Sequence, residues 1–242
     1  MKTITRKSEV KIHLEKCLTA YHSDGLNSCV SELNDTLLSN KVKFPLLEFC
    51  AGAFYEYLPK IEHIQLCDQI QSLRTEGGNV ILGIMLQKRL ADDFKQSLHK
   101  TTEYVADADV WYICDIIGER VFGFSLLHQP EKTIPEIKRL SHHPVNWVVR
   151  SLGAGIHYAI KKGLHRDHVA TVFKILLSKA DAKDKEIKQG IGWAVKTTAK
   201  FHPDIIDQFK DEIYNTDEAA NWFRAKIAIG LNRHHYAKRN RS

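Results

Sequence analysis

The chain has 242 residues, of which 43% are hydrophobic and 26% charged, with a formal net charge of +6. That composition supplies a continuous apolar core and excludes a disordered chain. No apolar run approaches the roughly 20 residues that span a bilayer, and the opening MKTITRKSEV lacks the apolar stretch of a secretory signal, so a cytoplasmic protein with no membrane partner is expected.

Apolar residues recur at helical steps almost everywhere. Leu26, Val30, Leu33 and Leu37 form the first such stripe. Leu46, Phe49, Ala53 and Tyr57 follow, then Ile61, Ile64, Cys67 and Ile70. Later come Val80, Ile84 and Leu86, then Leu98, Tyr104 and Val105, and then Val169, Val172, Phe173 and Leu176. No stretch alternates as a half-buried strand does. Ser23 to Gly25, Glu76 to Gly78 and Gln129–Pro130 read as turns. Pro45, Pro59, Pro135, Pro144 and Pro203 read as helix starts, because proline is tolerated in a first turn. Asp24, Asn79 and Asp217 read as caps. Helices joined by short turns are antiparallel neighbours. Trp111, Trp147, Trp193 and Trp222 each read as early in an apolar helix, at separations scattered around the roughly 40-residue period of HEAT-type repeats. The expected fold is all-α, a HEAT-like repeat superhelix, in one domain covering 1–242. The five cysteines are odd in number and widely spaced, so they read as small buried hydrophobes rather than as disulfides or a zinc site. No metal or other cofactor is expected. The histidine pairs His142–His143 and His234–His235 have no third ligand beside them.

Three segments carry possible chemistry. In Asp109-Val110-Trp111-Tyr112-Ile113-Cys114-Asp115, Trp111 and Asp115 are four apart and share a helical face. An aspartate in an apolar helix is solvated, paired or working. Asn146-Trp147-Val148-Val149-Arg150 places an arginine three residues after a tryptophan. Gln189-Gly190-Ile191-Gly192-Trp193-Ala194-Val195-Lys196 places two glycines before a tryptophan, where backbone or ligand approaches closely. Each has an alternative structural reading: Asp115 as an acceptor between repeats, Arg150 as an ion-pair partner, Trp111 and Trp193 as core. Trp147 and Trp222 read as core.

In order and spacing, the three segments resemble the AlkD-type HEAT-like repeat glycosylases of the DNA alkylation repair family, with their W-x-x-x-D, W-x-x-R and G-W-x-x-R/K helices. The resemblance covers roughly Asp107 to Asp204. It implies a basic concave groove holding duplex DNA, a monomer, and hydrolytic excision of cationic N3- and N7-alkylated purines. It implies Asp115 as the catalytic carboxylate, Trp111 and Trp193 as aromatic walls, and Arg150 and Lys196 as DNA-binding cations. The chemistry suits these residue types. An alkylated purine is already a good leaving group, so the barrier is mostly positive charge growing on the sugar, which a carboxylate and indole faces stabilise. Near the N-terminus the family carries a G-[IV]-x-x-P-x-x-R-like stretch. The nearest equivalent here, Lys41 to Glu48, has no arginine after Pro45. A non-catalytic binder of branched or damaged DNA and a protein-binding solenoid stay open as alternatives. The basic tail, Asn232 to Ser242, and the turn around Lys161, Lys162, His165 and Arg166 read either as phosphate contacts or as solvated ends.

Overall fold

The structure, a computed structural model, describes residues 2–214 and 219–239, the side chains of 235–239 excepted. The chain is all-α, and its described residues divide into two compact units, Met1–Lys100 and Thr101–Ser242. Among the described residues no helix is long and apolar enough to cross a membrane.

In the first unit, β1 (Thr3–Ile4) leads into α1 (Lys7–Asp24), and Gly25, at φ 82°, turns the chain into α2 (Leu26–Leu33). A π-helical turn, Asn34–Leu38, carries α2 to β2 (Lys41–Val42), which pairs in parallel with β1 over two residues. Then come α3 (Phe44–Tyr57), a 3₁₀ turn (Lys60–Glu62), α4 (His63–Ser72) and α5 (Glu76–Arg89). Some of these expectations are corrected here. Asp24 ends α1, and Gly25 stands at the start of α2. Asn79 lies inside α5, which begins at Glu76 because the Thr75 hydroxyl accepts the Gly78 N–H, so Glu76 to Gly78 is a first turn and not a loop. The buried stripe of α3 is Leu47, Cys50, Ala51 and Phe54, one position on from the stripe through Leu46 and Phe49. Both registers of that segment are apolar, so period alone does not choose between them. Ile61 sits on the 3₁₀ turn, fully out in solvent, and the α4 core face starts at His63 and Leu66. Asp217 lies outside the described residues.

The division falls within α6 (Phe94–Ala106). The second unit continues with α7 (Trp111–Gly118), a π turn (Glu119–Gly123), α8 (Phe124–His128) and α9 (Pro130–Leu140). Next are α10 (Asn146–Lys161), α11 (Arg166–Leu177), α12 (Lys185–Phe201), α13 (Pro203–Gln208), α14 (Lys210–Tyr214) and α15 (Asn221–Arg239). Proline occupies the first turn of α3, α9 and α13, but Pro135 lies within α9, which Pro130 has already started. Trp193 is likewise midway along α12.

Helices α7, α10, α12 and α15 pack side by side in that order, with α9, α11 and α13 forming a second row behind them. Cysteine and aliphatic side chains fill the space between the rows, with Phe122, Phe173 and Phe223 fully buried. Along the first row the backbones touch. A Cβ on Gly190 of α12 would lie 2.3 Å from the Arg150 carbonyl oxygen of α10, and one on Gly153 would lie 2.1 Å from Gly190. The residues around these glycines are therefore held at backbone spacing from the next helix, which sets the site described below.

Candidate functional site

Trp111 opens α7 and is 58% exposed, whereas Asp115, one turn on, is 8% exposed. The difference arises because Arg150, from the adjacent α10, lies over the carboxylate. Arg150 Nε donates to Asp115 Oδ1 at 3.0 Å and Nη2 donates to Oδ2 at 2.8 Å, a forked pairing that uses both carboxylate oxygens. Its third nitrogen, Nη1, donates to Glu186 Oε2 at 2.6 Å. Glu186 is fixed in the first turn of α12, where the Asp184 side chain accepts the backbone N–H of Glu186 and of Ile187. The guanidinium carbon lies 6.0 Å from the centre of the Trp111 ring and 5.9 Å from that of Trp147. One cation thus sits among two carboxylates and two indoles. Burial alone would lower the Arg150 pKa, but hydrogen bonds and charge from Asp115 and Glu186 outweigh it and raise the value. Removing one partner of such a buried pair typically costs about 3–5 kcal/mol, because the other charge is left uncompensated.

A cleft of about 210 Å³ opens beside this cluster, lined by Arg150, Gln189, Trp193, Lys196 and Lys226. Trp193 and Lys196 also line a second cleft of about 170 Å³, together with His157, Lys161, Lys200 and Arg233. Trp193 is held upright between the two by His157, whose ring stacks on it at 4.1 Å between centres. The Thr197 hydroxyl donates to the Trp193 carbonyl at 2.9 Å, so at 2.6 Å from His157 Nδ1 it accepts. That fixes His157 as the Nδ1–H tautomer. Burial, then the charges of Lys161 and Lys196, push the His157 pKa down to about 4. Burial, then Arg233 and Lys226, push Lys196 down as well. Lys161, Lys196, Lys200, Lys226 and Arg233 make no ion pair among the described residues.

Of the residues singled out in the sequence, Trp111, Asp115 and Arg150 meet directly, and Trp193 and Lys196 join them along the cleft that Arg150 lines. Asp115 does not stand open to that cleft; its carboxylate is covered by Arg150. Trp147 flanks Arg150 instead of filling the core, while Trp222 is structural, its indole N–H donating to the Ala182 carbonyl at 3.1 Å. The two glycines before Trp193 serve packing: Gly190 meets Arg150 backbone, and a Cβ on Gly192 would meet the Lys226 side chain. Arg166 is taken up by Asp204 at 2.6 Å. Of the basic tail, Arg233 reaches the second cleft, and the side chains beyond 234 lie outside the described residues. Glu186, His157 and Lys226 escaped the sequence reading. Glu186 reads there as an ordinary acid in a first turn, and nothing in a local pattern pairs it with Arg150, 36 residues away.

The family model for DNA alkylation repair enzymes matches residues 51–225, more than half of the chain and the whole of this site apart from Lys226 and Arg233. The chain belongs to the DNA alkylation repair enzyme family. No curated protein and no solved structure matches it. The family match begins after the Lys41–Glu48 stretch that lacks the expected arginine, and it includes all three tryptophan helices. Membership in a family of DNA repair enzymes makes DNA, a polyanion, a matching partner for the cations beside Trp193 that make no ion pair among the described residues.

Proposed function

We propose that the chain is a monofunctional DNA glycosylase that binds duplex DNA and hydrolyses the N-glycosidic bond of cationic N3- and N7-alkylated purines. The observation that carries this reading is the enclosure of one positive charge by Asp115, Glu186, Trp111 and Trp147. Such surroundings stabilise a cation, and the transition state of this reaction is a cation: the C1′–N bond breaks, its electron pair leaves with the purine, and positive charge spreads over the sugar. Indole faces add roughly 0.5–2 kcal/mol each to a cation over them. Arg150 forms fork-shaped hydrogen bonds with phosphate as readily as with carboxylate. A backbone phosphate in the cleft draws Arg150 off Asp115, which then faces the sugar and orients the attacking water. The water oxygen bonds to C1′, its proton leaves to solvent, and an abasic site remains. Lys196, Lys226 and Arg233 hold the strand, and Trp193 stands beside the lesion.

A second reading rests on a specific observation. Both oxygens of Asp115 are engaged and the residue is buried, which fits a structural ion pair in a non-catalytic DNA binder equally well. Incubation with duplex DNA bearing N7-methylguanine separates the two. The glycosylase releases free base; the binder retains the duplex and releases none.

A further inference from the structure

The second cleft is unlike the first. Among the described residues, Lys161, Lys196, Lys200 and Arg233 line it and no carboxylate does; the acid that feels the charge of Lys161, Glu119, is outside the lining. Lys196 and Arg233 already repel each other there. With about 170 Å³, the cleft has room for on the order of ten waters. We propose that this cleft is a binding site for a terminal phosphate monoester of a DNA strand. This inference rests on the DNA-binding part of the reading above and not on base release.

The chemistry distinguishes a strand end from a strand interior. An internal phosphodiester carries a single negative charge, whereas a terminal monoester approaches two, with its second proton lost near pH 6. Lys196 and Arg233 hold the strand in the reading above, so Lys161 and Lys200 supply the two charges that the dianion matches. The monoester also retains a P–OH in its singly charged form, which a diester does not have. His157 offers an acceptor for that proton: its Nδ1–H is committed to Thr197, so Nε2 carries the free lone pair. The singly charged monoester donates its P–OH to that lone pair while the ring stays neutral, the state that burial and the charges of Lys161 and Lys196 favour. Trp193 separates this cleft from the one that Arg150 lines, so the terminal phosphate sits next to the strand gripped by the first cleft without competing for Arg150.

The test uses the whole chain and duplexes with a one-nucleotide gap whose margins carry a 5′-phosphate, a 3′-phosphate or hydroxyls only, with tryptophan fluorescence as the readout. One phosphorylated duplex is expected to bind about tenfold tighter than the hydroxyl duplex, the gain of one charge-assisted contact set. The double variant Lys161→Gln/Lys200→Gln removes two charges and the contact of Lys200 with the Phe201 ring at 5.0 Å, and leaves the buried core unchanged. It should abolish that preference while leaving hydroxyl-duplex affinity within about threefold. Inorganic phosphate should reduce the preference in wild type. Equal affinity for all three duplexes overturns the inference, as does a double variant that weakens all three alike, since the cations then form part of a continuous backbone track. Tight binding of inorganic phosphate with no preference among duplexes overturns it too, by assigning the cleft to the free ion. A protein that prefers the phosphorylated end yet releases no methylated base leaves this inference standing and removes only the glycosylase reading.

Discussion

Glu186 shares Arg150 with Asp115. Arg150 alone would neutralise Asp115; shared with Glu186 it leaves the three groups with one net negative charge. Glu186→Gln is therefore expected to let Arg150 settle fully on Asp115. Base release in single-turnover assays should fall by about 10²-fold, the loss seen for comparable electrostatic groups, with DNA affinity unchanged or slightly improved. Glu186→Asp should recover part of the rate. A variant with a normal rate and merely a lower melting temperature would reduce Glu186 to a structural partner. His157 carries a second expectation at this scale. Its folded pKa of about 4 lies below the unfolded value near 6.5, so the unfolded chain binds more protons between those pH values and stability is lost as pH falls through that window. The loss at pH 4.5 is roughly 2 kcal/mol from this residue, with none above pH 6.5. His63 and His202, also pushed down by burial, act in the same direction. His157→Asn keeps a donor for Thr197 and should melt with a visibly shallower dependence between pH 6.5 and 4.5. An unchanged slope would contradict the assignment.

At the level of elements, the site exists because α7, α10 and α12 approach to backbone contact. Gly190→Ala would place a methyl 2.3 Å from the Arg150 carbonyl, where only main-chain movement makes room. A cost of about 3 kcal/mol or more is expected, with loss of the Arg150 fork. Gly192→Ala meets a flexible lysine side chain at 3.1 Å and should cost under about 1 kcal/mol. Urea denaturation of the two variants checks the contrast, and equal stabilities would refute the close-approach account. This scale also shows what was legible from sequence. Helical period, Pro45 and Pro203 in first turns, and the W-x-x-x-D and W-x-x-R spacings are local, and they carried over, whereas Pro130, read as a turn, starts α9. The core face of α3 did not, because two apolar registers compete within Phe44–Tyr57. The π turns at Asn34–Leu38 and Glu119–Gly123 and the two-residue β pairing leave no periodic trace. The covering of Asp115 depends on contacts 35 residues apart, beyond any local pattern.

For the molecule as a whole, part of the net charge of +6 has a place: among the described residues, Lys161, Lys196, Lys200, Lys226 and Arg233 on α10, α12 and α15 make no ion pair and line the two clefts. If Lys196, Lys226 and Arg233 each displace a counterion, log K for intact duplex should fall linearly with log salt at a slope of about −3, and steeper if Arg150 joins them. A slope near zero at low salt would show that these cations do not contact phosphate.

The most direct measurement is single-turnover release of N7-methylguanine from duplex DNA by wild type and by Asp115→Asn, with melting temperatures recorded in parallel. The substitution removes the charge that faces the sugar in the proposed mechanism and also one partner of Arg150, so the variant should melt lower while remaining folded and bound to DNA. Wild-type release with a loss of 10²-fold or more in the variant is the predicted result. Equal rates from wild type and variant, or duplex binding with no release by either, would contradict it.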